Sequence, residues 1–499
     1  MNKRMILYII GKLLIVVALL MVLPLIASII YHFTNGENLN LLAFVIPMAL
    51  LVGLGFFLSF KKPKDNNIFA REGFVLVGLS WIIISLFGAL PFVISGEIKS
   101  FADAFFETVS GFTTTGASIL NGDEIETLSH GMLFWRSFTH WIGGMGILVF
   151  VLIFIPSDGK NIFIMRAESP GPQFGKLVSK INFSARILYI IYLGLTLLQI
   201  IILVCGGMDL FDAIVNSFAT AGTGGFAIKA DGIAGYNNFC QVVIAVFMML
   251  FGINFNFFFL LLMGKFKQAF KMEEVFTYIG IVVFSTVAIA INLFIVTGNS
   301  LAIILKDSFF QVSSIITTTG FSNTDFNLWP EFSRMILIIL MFVGACAGST
   351  CGGIKVSRFI ILIKSIKRNI KKMLHPKSIS NISFESGILD EETISGTSNY
   401  FALMIILFTF CVLLLSLDPF NVPANMIPIE GINKFTTNFT AAASCINNIG
   451  PGLNLVGPSG SYGFYSDFSK IILSIAMLIG RLEIYPLLLL FSPKVWKNK

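Results

Sequence analysis

Ten stretches of this chain are apolar for long enough to cross a bilayer, and that repetition decides its solvent before any motif is read. A span needs ~20 apolar residues to cross ~30 Å of hydrocarbon. The segments at about 5–31, 40–60, 73–95, 132–155, 186–206, 238–263, 275–297, 333–366, 399–417 and 469–492 meet that length. Charged residues make up 12% of the chain, against roughly 25% in a soluble domain. The apolar run behind Met1-Asn-Lys-Arg-Met extends to about Tyr31 with no A-x-A site. It reads as an uncleaved first span rather than a signal peptide. The expected fold is an all-α polytopic membrane protein in contact with lipid.

Charge placement gives the chain a direction. With an inner N-terminus, 26 of the 34 basic residues fall in inner segments, among them Lys61 to Arg71, Lys160 to Arg186, Lys265 to Lys271 and Lys355 to Lys377. Such an excess of Lys and Arg marks the cytoplasmic side and places both termini there. Of the 27 acids, 16 fall outside, Asp103, Glu107, Asp212, Asp307 and Asp325 included. A net-negative outer face concentrates cations, although ordinary solvated loops would read the same way. The net charge of +7 has no basic run interleaved with aromatics, so nucleic acid is not an expected partner. The six cysteines form no CxxC pair and lie far from the four histidines, which argues against a zinc site.

Four shorter apolar stretches, near 103–115, 212–224, 307–319 and 437–449, are too short to cross and suit re-entrant segments. They share a frame. Asp103, Asp212 and Asp307 stand thirteen residues before Gly116, Gly225 and Gly320, and Thr437 stands likewise before Gly450. The Asp or Thr can cap a short helix at its N-terminus. Thirteen helical residues rise ~20 Å, enough to dip into the membrane and return, with the negative end of the helix dipole turned inward toward a cation. Glycine then permits dihedrals that keep successive carbonyls pointing one way. Four such loops would give rings of oxygen that replace an ion's water shell. A single T-T-T-G would be only a turn capping a helix; four in register, each between two spans, read as a pore.

The residues that carry a family resemblance are Thr113-Thr-Thr-Gly-Ala117, Thr223-Gly-Gly-Phe226, Thr317-Thr-Thr-Gly-Phe321 and Asn448-Ile-Gly-Pro-Gly452. Gly344-Ala-Cys-Ala-Gly-Ser-Thr-Cys-Gly-Gly-Ile-Lys355 and Gly480-Arg-Leu-Glu-Ile-Tyr485 add to it. With these, the chain resembles the TrkH, KtrB and HKT superfamily of potassium transporters over essentially its whole length. Two extra spans ahead of the first repeat unit place it with the TrkH branch. The resemblance implies potassium as the transported ion and no organic cofactor. It implies ion sites at Thr114, Thr115 and Gly116; Thr223, Gly224 and Gly225; Thr318, Thr319 and Gly320; and Asn448, Ile449 and Gly450. Sodium-favouring relatives have serine where this chain has Gly116, so potassium selectivity is implied as well. The second loop departs from the pattern at Ala221 and Gly222, which puts its carbonyl register in doubt.

Two elements are candidate gates. The stretch 333–366 is too long for one straight span, and its centre holds Gly344, Gly348, Gly352 and Gly353 with no large side chain. Glycine costs ~1 kcal/mol relative to alanine inside a helix, so a break is expected, with Lys355 directly after it. A close helix-packing face of small residues is the plain alternative; the resemblance implies an intramembrane gating loop. Arg481 lies mid-span, where an arginine costs ~2.5–3.5 kcal/mol unless it faces protein or water. The resemblance places it at the pore as a barrier to cations; a structural ion pair is the alternative. Glu483, two residues on, lies on a different helix face and is not its expected partner.

The expected organisation is a two-helix accessory segment at 1–66, followed by four helix–loop–helix repeats at 67–160, 161–268, 269–380 and 381–499, the third carrying the loop 344–353. Gated potassium uptake is the expected function. A symporter coupled to protons or sodium is the alternative, since carriers hold ions at broken helices with mid-membrane ionisable groups. An intramembrane enzyme would need an H-E-x-x-H or a Ser-Lys pair in its spans, and none is present. The resemblance further implies a homodimer in a bacterial cytoplasmic membrane. It also implies a cytoplasmic nucleotide-binding partner of the TrkA type, docking near 160–180 and 364–395.

Overall fold

A computed structural model describes residues 1–63, 68–146, 181–378, 380–385, 387–422 and 431–496. The described residues are mostly helical, and the strands among them form one short antiparallel pair, Ser383–Phe384 with Gly387–Ile388. Among the described residues six helical segments are long and apolar enough to span a membrane, Lys3–Asn35, Leu41–Ser59, Ala70–Ser95, Arg186–Cys205, Glu273–Thr297 and Glu391–Leu415, the first and third with a single turn residue at Met21 and Ala89. In lipid this is the arrangement that satisfies every backbone polar group within its own segment. The first two spans cross closely at small residues: a Cβ on Gly11 would stand 2.7 Å from the Gly55 carbonyl oxygen.

Three of the remaining long apolar stretches are interrupted, and each interruption has a local cause. The expected straight span at 238–263 is instead two helices, Asn238–Phe251 and Phe255–Leu262, bent by 89°. Gly252 ends the first, and the Asn254 side chain caps the second by accepting from Asn256 N. The expected span at 469–492 also breaks. Asp467–Arg481 ends where Glu483 and Ile484 take φ of 53° and 74°, and Tyr485–Leu490 restarts with Pro486 in its first turn. Proline lacks the N–H an unbroken helix would need there. Stretch 333–366 divides as its glycines predict, into Glu331–Phe342 and Val356–Leu374 with a non-helical linker. Helix His130–Gly144 covers the first part of the span expected at 132–155; residues 147–155 lie outside the described residues.

Between these spans sit four shorter helices, Phe101–Phe112, Leu210–Gly222, Leu301–Ile316 and Lys434–Asn447. They match the four stretches too short to cross, and each leads into a loop carrying one of the aligned glycines.

Candidate functional site

The four short helices end alike. Thr114, Thr223, Thr318 and Asn448 take left-handed φ of 55°, 55°, 56° and 56°, and Gly116, Gly225, Gly320 and Gly450 follow at 78°, 73°, 83° and 103°. The residue between each pair donates its N–H back across the helix end: Thr115 to Ser110 O, Gly224 to Ala219 O and Thr319 to Ser314 O at 2.9 Å, and Ile449 to Ser444 O at 3.0 Å. This six-to-one bond closing on a left-handed residue is a Schellman helix end. Glycine usually takes the left-handed position; here three threonines and an asparagine do. A non-glycine residue held there costs ~1–2 kcal/mol, and such strain persists where the surroundings over-determine it.

The surroundings are the other three loops. A Cβ on Gly116 would meet Gly224 O at 1.9 Å, one on Gly225 would meet Thr319 O at 1.9 Å, and one on Gly320 would meet Ile449 O at 2.0 Å. The fourth closes the circuit, with a Cβ on Gly450 falling 2.8 Å from Thr115 O. Each glycine therefore abuts a carbonyl of the next loop in chain order, and any side chain would push the ring apart. All four glycines line one cavity of about 100 Å³, with Ala117, Phe226, Phe321 and Tyr462 around them. Thr114, Thr115, Thr223, Thr318, Thr319, Asn448 and Ile449 are fully buried beneath it.

Side chains knit the ring. Thr113 Oγ1 lies 2.8 Å from Thr115 Oγ1, Thr317 Oγ1 lies 2.7 Å from Thr319 Oγ1, and Asn448 Nδ2 donates across the circuit to Thr115 Oγ1 at 2.9 Å. The small residues of the second loop make room for His140. A Cβ on Gly222 would stand 2.2 Å from His140 O, and one on Gly224 would stand 2.3 Å from its ring. His140 is fully buried, its Nδ1 2.7 Å from Gly111 O. The departure at Gly222 is thus accommodation of a neighbouring helix, and the backbone of this loop matches the other three.

The broken linker 343–355 lies against the same ring. Gly352 N donates to Thr318 Oγ1 at 2.8 Å, and a Cβ on Gly352 would stand 2.7 Å from Asn448 Cβ. The linker is pinned along its length. Cys346 N donates to Gly252 O at 3.1 Å, and Gly348 O accepts from Phe255 N at 3.0 Å, so the bent helix pair holds it. Glu274, 1% exposed, takes Ala347 N at 2.7 Å and Ser357 N at 3.0 Å on one carboxylate oxygen. Gly344 N donates to Ile354 O at 2.8 Å, closing the linker's two ends on each other.

Both candidate cations reach into this linker. Lys355 Nζ donates to Gly352 O at 3.0 Å and to Cys351 O. Arg481 Nη1 donates to Thr350 O at 2.9 Å and to Thr114 Oγ1 at 3.3 Å; Nη2 donates to Gly144 O at 2.8 Å and to Gly143 O. One guanidinium thus joins the linker, the first loop and the C-terminal carbonyls of helix His130–Gly144, the end that favours a cation. Glu483 pairs with Arg358 instead, whose guanidinium lies 4.0 Å over the Tyr400 ring.

The twelve residues expected at ion sites all fall in these four loops, and Gly344, Gly348, Gly352, Gly353, Lys355 and Arg481 gather at the linker. One expectation is overturned: the framing residues are not caps. The helices begin earlier, at Ser100, Asp209, Ser300 and Asn433. The framing side chains tether each short helix to other parts of the chain. Asp103 pairs with Lys470, Asp212 accepts from Tyr236 OH at 3.0 Å, Asp307 accepts from Asn323 Nδ2 at 2.8 Å, and Thr437 donates to Asn454 Oδ1 at 3.0 Å. Sequence reasoning missed Glu274. An acid at the start of a span reads as a solvated helix end, and nothing local shows that a linker folds down upon it.

The cation transport protein family TrkH matches this chain over residues 41–306 and 295–498. The Trk system potassium uptake protein TrkH of Escherichia coli K12 is 34% identical over 504 residues, with 100% of both chains covered. The potassium uptake protein TrkG of the same strain is 30% identical over 100% of this chain and 99% of its own. The crystal structure of the potassium transporter TrkH from Vibrio parahaemolyticus superposes with a TM-score of 0.85 at 30% identity, covering 100% of each chain.

Proposed function

This chain belongs to the TrkH family of cation transport proteins, and from that premise we propose that it takes up potassium across a bacterial cytoplasmic membrane through one gated pore. The filter is the ring of four loops, with ions held by backbone oxygens of Thr114 to Gly116, Thr223 to Gly225, Thr318 to Gly320 and Asn448 to Gly450. The observation that carries this reading is the circuit of glycine-to-carbonyl contacts, which closes on itself and surrounds one cavity. Backbone oxygens gathered in a ring can replace the hydration shell of a cation. Irregular backbone at membrane depth is tolerated where protein or a water-filled path encloses it.

The loops divide the chain into repeats at 67–160, 161–268, 269–380 and 381–499, behind a two-helix segment at 1–66. The linker 344–353 and Arg481 form the gate, since both touch the residues that end the short helices. Both termini face the cytoplasm, two copies assemble as a homodimer, and a TrkA-type nucleotide-binding subunit controls opening from that side. Within the docking region 364–395 lie the basic end of helix Val356–Leu374 and the strand pair Ser383–Phe384 with Gly387–Ile388; the other region, 160–180, lies outside the described residues.

The test is ion flux in liposomes, comparing potassium with sodium for the wild type and Gly116→Ser. At φ 78° and with 1.9 Å between the new Cβ and Gly224 O, serine must displace the first loop from the second. A fall in the potassium-to-sodium ratio is expected. An unchanged ratio would remove Gly116 from the filter. Potassium uptake that stops when a sodium or proton gradient is collapsed at fixed voltage would replace the channel with a coupled carrier.

A further inference from the structure

Beside the ring lies a buried ion pair, whose arginine also lines the cavity that the four glycines surround. Glu107, on Phe101–Phe112, and Arg136, on His130–Gly144, are 1% and 2% exposed. Arg136 Nε donates to Glu107 Oε1 at 2.6 Å, and its Nη1 donates to Ala227 O at 2.7 Å. The guanidinium carbon lies 3.7 Å from the centre of the Phe226 ring. On the other side, Ser118 Oγ donates to Glu107 Oε1 and Ile119 N to Glu107 Oε2, both at 3.0 Å. Ser118 and Ile119 follow Gly116; Phe226 and Ala227 follow Gly225. One carboxylate–guanidinium unit therefore grips the chain leaving the first glycine and the chain leaving the second.

The other loops lack this charge. Nine residues before each glycine stand Glu107, Asn216, Gln311 and Ala441. Asn216 Nδ2 donates to Tyr236 OH at 3.2 Å, and Gln311 Nε2 donates to Ser322 Oγ at 3.2 Å and Asn323 Oδ1 at 3.1 Å. Those are neutral amide tethers, and Ala441 has no polar group to offer. Burying an ion pair adds little net stability over an apolar pair of similar volume. Its distinguishing property is stiff, directional geometry: charge-assisted hydrogen bonds are shorter and roughly twice as strong as neutral ones. Discrimination between potassium and sodium depends on the size and field of the oxygen ring, which a rigid brace between two of its four members would set.

We infer that Glu107 and Arg136 are positioning residues that hold the first and second loops at a fixed separation, and thereby set how strongly potassium is preferred over sodium. The inference rests on the reading of the four loops as the filter. Arg136→Lys keeps a cation beside Glu107, but a point charge cannot fork to Ala227 O and lie flat on Phe226. The double variant Glu107→Gln with Arg136→Gln removes the brace while keeping the site neutral.

The test measures potassium and sodium flux in the same liposomes for wild type, Arg136→Lys, the double variant and Gly116→Ser, with thermal melting of each. Losing one or two hydrogen bonds of the brace is expected to lower the potassium-to-sodium ratio about three- to tenfold in Arg136→Lys, and at least as far in the double variant. A lower melting temperature with an unchanged ratio in Arg136→Lys would overturn the inference, leaving the pair as a brace for the fold alone. A ratio restored in the double variant would also overturn it, because charge balance would then be the whole effect. If the double variant is recovered unfolded, Arg136→Lys decides. Should Gly116→Ser leave the ratio unchanged, or the wild type not discriminate, the filter reading fails as well; a ratio moved by Gly116→Ser but not by Arg136→Lys sinks only the role of the pair.

Discussion

Replacing Arg481 by alanine removes a side chain that touches the linker, the first loop and a helix end together. Its bond to Thr350 O ties Asp467–Arg481 to the linker. A hydrogen bond from a charged donor is worth ~1.5–3 kcal/mol. If the linker must leave the ring for ions to pass, losing that bond shifts its equilibrium toward release by about 10- to 150-fold. The fixed charge acts in the same direction. A cation passing ~8 Å away at an effective dielectric of ~20 meets about 2 kcal/mol of repulsion, which alanine abolishes. Both effects raise potassium flux through the chain in liposomes without any partner, with an expected gain of at least tenfold. Arg481→Lys separates them, since it keeps the charge but cannot reach Thr350 O, Gly144 O and Thr114 Oγ1 at once; a gain smaller than that of alanine is expected. The readout is tracer uptake at fixed membrane voltage, with gel filtration and melting to show that each variant is folded. Wild-type flux in a folded Arg481→Ala would refute both parts of this reasoning.

Glu274→Ala strands Ala347 N and Ser357 N, and each buried unsatisfied group costs ~1–3 kcal/mol; raised basal flux and a lower melting temperature are expected, with Glu274→Gln milder because its amide oxygen still accepts. Gly225→Ala places a Cβ 1.9 Å from Thr319 O at φ 73° and should abolish selective flux, whereas Gly280→Ala meets nothing within 4 Å and should leave both flux and melting close to wild type. For Asp418, burial alone would raise the carboxyl pKa, but bonds from Ser466 Oγ and N and from Phe420 N outweigh it and hold the value below the ordinary 3.8. A pKa depressed by folding contributes stability that is present above the unfolded value and lost as pH falls through the folded one. The gap in melting temperature between wild type and Asp418→Asn should therefore be full at neutral pH and shrink below about pH 4; a gap that persists at pH 2 would show that those bonds do not act through ionisation.

The amino-acid sequence alone carried the solvent, the helical fold and the spacing of the four glycine loops, because each is a matter of local chemistry. An apolar run long enough to cross lipid must satisfy its own backbone and so is helical except where glycine or a local turn breaks it, and a helix that ends in a left-handed residue and a glycine ends the same way in each loop. The clustered glycines of 344–353 likewise announced their own break. Where the same local reasoning went too far, tertiary contacts had the last word. Asp307 looked like a cap and instead holds Asn323 seven residues into its helix; the stretches 238–263 and 469–492 looked straight, yet bend at Gly252 and Glu483 to hold the linker and to meet Arg358.

Only the assembled structure decided that Gly116 abuts Gly224 O, that Glu274 clasps the linker, and that Glu107 meets an arginine 29 residues further on. Those contacts depend on which segments lie side by side, and adjacency in lipid is set by the packing of small residues and by the pairing of buried polar groups. Neither leaves a period in the sequence, so the ring was legible as four equal loops around one pore, whereas the order of its contacts and its charged brace were not.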